Sequence, residues 1–288
     1  MTGAGGQVGS ALCRLGQQVA FEMVGLGSGE LDIGDEQAIR SAVASIQPDV
    51  IINAAAYTAV DKAEQEHEKA YRINSDGPRY LAREAAIADI PLLHFSTDYV
   101  FDGTKAGAYV ETDPVAPLGV YGASKLAGEL AIQRECSNFL IFRTSWVFGL
   151  EGQNFPKTML RLASERPEIR VVADQWGCPT FADDIARAVF GVLEVYREAG
   201  SLPWGIYHYA GRSSCSWHEF AISILDMAYK MKVIASLPLL TGISTADYPT
   251  AAKRPANSRL DCSKFAGVFS GISLSDWVAG EKSLLEKA

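Results

Sequence analysis

A chain of 288 residues, 48% hydrophobic and 21% charged, is long enough to bury a substantial core in one large or two modest domains. Its net charge of −8 speaks against broad contact with nucleic acid or an anionic membrane surface. No apolar run is long enough to span a bilayer, and the start is not that of a signal peptide. Five cysteines with no C-x-x-C pair, and four histidines without metal-ligand spacing, point to a reduced, cytoplasmic protein.

The chain opens on Gly3-Ala4-Gly5-Gly6-Gln7-Val8-Gly9, a G-x-x-G-x-x-G pattern. Such a loop turns tightly and lets backbone N–H groups approach a pyrophosphate, with the positive N-terminus of the next helix (residues 7–15) behind it. A flexible glycine-rich end would have the same composition. A Rossmann unit needs a strand before this loop, and only Met1 and Thr2 precede it. Either the true start lies upstream or the central strand is stunted. Residues 19–26 read as the second strand. Its end, Gly25-Leu26-Gly27-Ser28, carries neither the acid that selects NAD nor the arginine that accommodates the 2′-phosphate of NADP, so cofactor choice stays open. Asp32 and Ile33 follow, where the adenine would lie. Residues 35–46 read as a helix broken by Pro48, and 49–53 as a buried parallel strand. That strand runs into Asn53-Ala54-Ala55-Ala56-Tyr57-Thr58, whose small residues let a flat cofactor lie close; simple tight packing would use the same residues. Residues 60–68 and 70–88 read as helical pieces, with Asn74 facing the cleft.

The next strand, 91–95, ends in Ser96-Thr97-Asp98-Tyr99-Val100-Phe101, where a hydroxyl can hydrogen-bond a reacting carbonyl. A loop rich in Gly and Pro (102–118) suits a substrate rim. Tyr121 and Lys125 then sit four apart on a helix-favouring run and share one face. A phenol is a poor acid near neutral pH, with a pKa of ~10. An ammonium held close favours the phenolate and eases proton transfer. The pair suits an enzyme that protonates a carbonyl oxygen while a hydride arrives from elsewhere, although a surface Tyr and Lys would show the same spacing. Residues 138–143 form another apolar strand, and the alternation so far is that of a doubly wound parallel sheet. Beyond Trp146 the elements shorten: a helix at 154–163, a strand at 170–173, a turn-rich loop at 174–180, an amphipathic helix at 181–196 that returns to the sheet, a strand at 205–209 and a helix at 217–231. This divides the chain into a dinucleotide-binding body (1–150 with about 168–200) and a smaller cap (151–167 and 201–288). Lys253, Arg254 and Arg259 place three cations in seven residues of an acidic protein, which fits a phosphate-binding loop or a solvated one.

The glycine loop, Asn53-Ala54-Ala55-Ala56, Ser96-Thr97-Asp98-Tyr99-Val100-Phe101, Tyr121-x-x-x-Lys125, Arg143-Thr144-Ser145-Trp146, Asp174-Gln175-x-Gly177-x-Pro179-Thr180 and Arg254-Pro255-x-Asn257-Ser258 occur in that order. In this order the chain resembles the extended short-chain dehydrogenase/reductases and, within them, the dTDP-4-dehydrorhamnose reductase family, nearly end to end. The S-T-D-Y-V-F and R-P-x-N-S stretches carry most of that specificity. The resemblance implies an α/β fold: a Rossmann-type doubly wound parallel sheet with a smaller C-terminal substrate-binding α/β domain. It implies reduction of the C4 keto group of dTDP-4-dehydro-L-rhamnose by NADPH or NADH, for cell-surface polysaccharide synthesis. Gly3, Gly6, Gln7, Val8 and Gly9 would line the pyrophosphate, Asp32 and Ile33 the adenine side, and Ala55, Ala56, Tyr57 and Thr58 the nicotinamide half. Tyr121 would protonate the C4 oxygen, Thr97 would orient the carbonyl, and Lys125 would hold the nicotinamide ribose and lower the Tyr121 pKa. Asp98, Tyr99 and Trp146 would contact the sugar, and Lys253, Arg254 or Arg259 the nucleotide phosphates, with Asn257 in the same substrate-binding stretch. A homodimer is compatible with the resemblance. Some members hold Mg²⁺ at a dimer interface through glutamates, one just after the glycine loop; here Ser10-Ala11 stands there, so the sequence does not support metal use. A reductase of another 4-keto sugar nucleotide would share these residues. A non-catalytic dinucleotide-binding regulatory subunit would keep the fold, but the presence of Tyr121 and Lys125 argues against it.

Overall fold

Helix α1 (Gln7–Gly16) begins directly at the glycine loop, with Gly6 as its N-cap. In this computed structural model, which describes residues 1–287, the chain then alternates helices and parallel strands. Helix α2 (Glu36–Ile46) is capped by the Asp35 carboxylate, which accepts from the N–H groups of Gln37 and Ala38. Strand β1 (Ile51–Asn53) leads to α3 (Val60–Ala63), α4 (His67–Tyr71), a π-helical turn (Arg72–Asp76) and α5 (Gly77–Ala88). Strand β2 (Leu92–Thr97), α6 (Val120–Glu135) and β3 (Phe139–Thr144) follow. After the short β4 (Val147–Phe148) come α7 (Phe155–Glu165), β5 (Glu168–Val172), β6 (Trp176–Gly177), β7 (Thr180–Phe181) and α8 (Ala182–Ala199). The chain ends with β8 (Gly205–His208), β9 (Cys215–Ser216), α9 (Trp217–Lys230), β10 (Leu239–Ile243), α10 (Ser263–Val268) and α11 (Trp277–Leu285).

The central sheet runs β1-β2-β3-β8, all parallel. Its strands are covered on both faces, which is why they read as apolar runs. In β2, Leu93 and Phe95 turn toward α1 and α8, where they meet Leu12, Val189 and Leu193. Leu92, one residue out of phase, turns to the opposite face with Ile39 of α2, Leu81 of α5 and Ile132 of α6. This is the expected α/β architecture.

Thr2 alone forms bridges, in parallel, to Leu26 on one side and Asn53 on the other. The expected strand over 19–26 is corrected accordingly. Ladders need a partner, and only Met1 and Thr2 lie beside this segment, so pairing is confined to Leu26 and to the Met1 amine donating to Val24 O. A cavity of about 450 Å³ is lined by Met1, Phe21, Met23, Val50 and Ile52.

A second apolar cluster gathers Met159 of α7, Phe220 and Ile224 of α9, Trp277 and Leu284 of α11, and Ile169 and Val171 of β5. β5 pairs in parallel with β10. Glu281 of α11 lies buried beside this cluster. Its Oε2 accepts from Ser223 Oγ at 2.7 Å, and its Oε1 has no partner among the described residues. Burial pushes this carboxyl up to about 8. Between the ordinary carboxylate range and that value, the folded chain keeps a proton that the unfolded chain releases, so stability falls as pH rises through this window. Glu281→Gln keeps the acceptor for Ser223 and removes the buried charge. Calorimetry is expected to show a higher Tm than wild type at pH 8.5, with the two curves converging toward pH 5; equal offsets at both pH values would contradict this.

Candidate functional site

Thr2 is where the sheet changes direction: the chain leaves it first for Leu26 on one side and later for β1 on the other. In open α/β sheets such a switch point opens a crevice at the carboxyl ends of the strands. Gly3 takes φ 74°, and any side chain there would run into the Ala54–Ala55 backbone. A Cβ on Gly9 would overlap the Gly3 carbonyl. The loop is thus pressed flat against the segment after β1. Helix α1 has no side-chain cap and no acid in its first turn, so its N–H groups and positive end face outward unneutralised. Nothing lies within 4 Å of a Cβ built on Gly5. These features fit a dinucleotide pyrophosphate held by backbone amides. The Gln7 side chain turns elsewhere, accepting from Asn154 Nδ2 at 3.1 Å and donating to Val147 O at 3.4 Å.

At the adenine end, Asp32 accepts from Gly34 N at 2.9 Å and pairs with Arg72 Nη1 at 2.8 Å, which holds its carboxyl below the usual range. Sequence inspection missed Arg72, which arrives from 40 residues away. Ile33 is buried nearby. At the nicotinamide end, Asn74 brackets Tyr57: its Oδ1 accepts from Tyr57 N at 2.8 Å and its Nδ2 donates to Tyr57 O at 3.0 Å. The same Nδ2 donates to Ser124 Oγ at 3.0 Å, and Ser124 donates to Tyr121 O at 2.8 Å. The π-helical turn containing Asn74 therefore ties the segment of Ala55, Ala56, Tyr57 and Thr58 to the helix that carries Tyr121.

Thr97, at the end of β2, and Tyr121, in the first turn of α6, lie side by side. The Thr97 hydroxyl donates to Asp98 Oδ1 at 3.0 Å and lies close enough to the Tyr121 phenol to act on its acidity. Tyr99 packs edge-on against Tyr121, with ring centroids 5.7 Å apart. A Cβ on Gly122 would overlap Tyr99 O, so glycine lets α6 approach this turn. The N-terminus of α6 is capped from outside by Glu64, whose Oε1 accepts from Val120 N at 2.7 Å. Burial raises the Tyr121 phenol above its ordinary range, with the Thr97 hydroxyl acting the other way. Lys125 does not lower it in this structure. The lysine turns down to the sheet, donating to Phe95 O at 2.6 Å and lying 3.2 Å from His94 Nε2. Burial brings its pKa down to about 8. His94 was passed over in the sequence, although a polar residue inside an apolar strand was the available signal.

Around Tyr121 a small cavity is lined by Tyr99, Gly122, Glu64, Lys253 and Pro255. Asp98 is 3% exposed, its Oδ2 has no partner among the described residues, and burial pushes its carboxyl up to about 6. Trp146 adopts φ 47°, left-handed for a bulky residue, and stacks on Trp217 with centroids 3.5 Å apart and planes 9° apart. Arg254 pairs with Asp61 at 2.6 Å and lies 6.0 Å from the Tyr99 ring centroid. Asn257 donates to Lys105 O and Gly107 O and accepts from Arg259 Nε at 2.8 Å, which spends its amide on the rim loop. Lys253 is exposed on the cavity wall. Among the described residues no group of three or more His, Cys, Asp or Glu could hold a metal ion, and no helix is long and apolar enough to cross a membrane.

Comparison with known proteins matches residues 1–288 to the family described as RmlD substrate binding domain. The dTDP-4-dehydrorhamnose reductase of Aggregatibacter actinomycetemcomitans is 48% identical over 99% of this chain and 97% of its own length. That of Escherichia coli K12 is 42% identical over 99% and 96%. The crystal structure of dTDP-4-dehydrorhamnose reductase from Bacillus anthracis in complex with NADP superposes with a TM-score of 0.90 at 35% identity, covering 100% of this chain and 98% of that one.

The glycine loop yields its own test. In Gly9→Ala the new methyl has to displace the Gly3 carbonyl, so dinucleotide affinity, followed by fluorescence titration, is expected to fall about tenfold or more. Undiminished affinity in a folded variant would place the anion elsewhere.

Proposed function

The chain belongs to the RmlD substrate-binding-domain family, and we infer from this and from its site that it reduces the C4 keto group of dTDP-4-dehydro-L-rhamnose to give dTDP-L-rhamnose, using NADPH or NADH. The observation that carries the chemistry is the convergence of two hydroxyls, Thr97 at the carboxyl end of β2 and Tyr121 in the first turn of α6.

A nicotinamide held by the glycine loop and the segment after β1 would supply a hydride to C4. As the carbon accepts it, the carbonyl π electrons move onto oxygen, and that oxygen takes the Tyr121 phenol proton. The Thr97 hydroxyl, by turning its one proton away from Asp98, can donate to the same oxygen and shield the developing charge. Tyr121 is left as phenolate and regains a proton from solvent in the next cycle. The buried Asp98 Oδ2 has acceptor capacity that a sugar hydroxyl would fill. Tyr99 and Trp146 offer flat apolar walls, and Lys253, with Arg254 behind it, supplies positive charge for the diphosphate. The boundaries read from the sequence need adjusting, because β8 of the expected cap joins the central sheet and β5 of the expected body pairs with β10 outside it.

Tyr121→Phe keeps the ring and removes the proton. Nicotinamide oxidation with dTDP-4-dehydrorhamnose, followed with NADH and NADPH in parallel, is expected to fall about a hundredfold or more in the variant, with dinucleotide binding nearly unchanged. Turnover at the wild-type rate would mean that another group is the acid.

A further inference from the structure

Four buried polar side chains form a line beneath the cleft. Thr2 Oγ1 donates to Asn53 Oδ1 at 2.7 Å, Asn53 Nδ2 lies 3.0 Å from His94 Nδ1, and His94 Nε2 lies 3.2 Å from Lys125 Nζ. All four are at most 4% exposed. Their hydrogen positions follow from one fixed donor. Ala55 N–H can only donate, and it donates to Asn53 Oδ1 at 3.1 Å. This fixes the orientation of the amide, so Asn53 Nδ2 points its hydrogen at His94 Nδ1. That nitrogen must accept, and the imidazole proton therefore resides on Nε2, facing Lys125. A charged Lys125 has only donors to offer. An ammonium there would force the His94 proton to Nδ1, against the Asn53 amide hydrogens, or give up its contact with His94. Every bond in the line is made only when Lys125 is an amine, accepting from His94 Nε2–H and donating to Phe95 O.

We propose that His94 is a positioning residue that donates its Nε2 proton to Lys125, so that the line from the glycine loop favours the uncharged form of the lysine in the free protein. The proposal rests on this hydrogen-bond polarity and on the reading of Tyr121 as proton donor given above. Burial acts in the same direction, lowering both Lys125 and His94. Around the pair, Glu129 opposes it from α6, but that carboxylate is committed to Arg143 of β3 and Ser96 of β2. Tyr121 stands one turn above, and β1 contributes only the neutral Asn53. An uncharged lysine exerts no pull on the phenol, which keeps its proton. A positive charge beside Tyr121 arrives only when Lys125 takes up a proton from solvent.

The test uses the free, full-length chain and is independent of turnover. Nitrogen-15 spectra of labelled histidine are expected to show His94 protonated at Nε2 and bare at Nδ1; the opposite tautomer overturns the proposal. Carbon-13 titration of lysine Cε, with Lys125→Met to assign the resonance, reports the lysine directly. In Asn53→Asp the carboxylate still accepts from Thr2 and Ala55 but now also accepts from His94 Nδ1–H, reversing the line. In His94→Gln the amide oxygen can accept from an ammonium without adding charge. Both are expected to raise the proton affinity of Lys125 about tenfold. No change in the folded variants, or a change in Asn53→Asp alone, which is the plain Coulomb effect of a new carboxylate, overturns it.

Discussion

Glu129, a carboxylate with no exposed surface, holds helix α6 to two strands at once. Its oxygens accept from Arg143 Nε at 3.0 Å and Nη2 at 2.7 Å on β3, and from Ser96 Oγ at 2.5 Å on β2. A buried ion pair contributes little net stability because both charges lose water, yet breaking it leaves an uncompensated charge that costs roughly 3–5 kcal/mol. Its value here is positional. Tyr121 lies two turns up the same helix and Thr97 one residue beyond Ser96, so one clamp sets the distance between the two hydroxyls proposed to act on the substrate carbonyl.

The helix is also allowed to come close. A Cβ on Gly128 would overlap Asn74 O and one on Gly122 would overlap Tyr99 O. These backbone approaches bring the π-helical turn and the turn after β2 within hydrogen-bonding range of the catalytic face. Asn74 then spends its whole amide on Tyr57 and Ser124. Rigidity at the site therefore comes from short side chains and bare backbone, and the long aromatic residues are left free to form its walls.

This division explains what the sequence discloses. Parallel strands buried on both faces announce themselves as apolar runs, and residues 92–97 and 139–144 are legible for that reason. Tyr121, Lys125 and Thr97 are legible because their spacing belongs to one helix and one strand end. Residues 19–26 have the composition of a strand but almost no neighbour to pair with, and composition does not report neighbours. The partners of the catalytic groups are the least visible. His94 is 31 residues from Lys125, Arg143 is 14 from Glu129 and Arg72 is 40 from Asp32, and none of these separations has a local period. The roles of Arg254 and Asn257 are only half readable, because positive charge in the sequence does not say that Asp61 will hold one arginine and the rim loop the other.

Burial moves the groups of the inner site in a common direction. It raises Tyr121, brings Asp98 up to about 6 and Lys125 down to about 8. Each shift favours the form that carries no charge. A dinucleotide and a sugar diphosphate are both strongly anionic, and the chain itself carries −8. Attraction for these anions must then come from outside the catalytic core, from the uncapped start of α1 on one flank and the Lys253 and Arg254 stretch on the other. The core stays nearly neutral between them. In such surroundings a single charge appearing on the carbonyl oxygen is poorly screened, so two aligned hydroxyls stabilise it far more than they would in water.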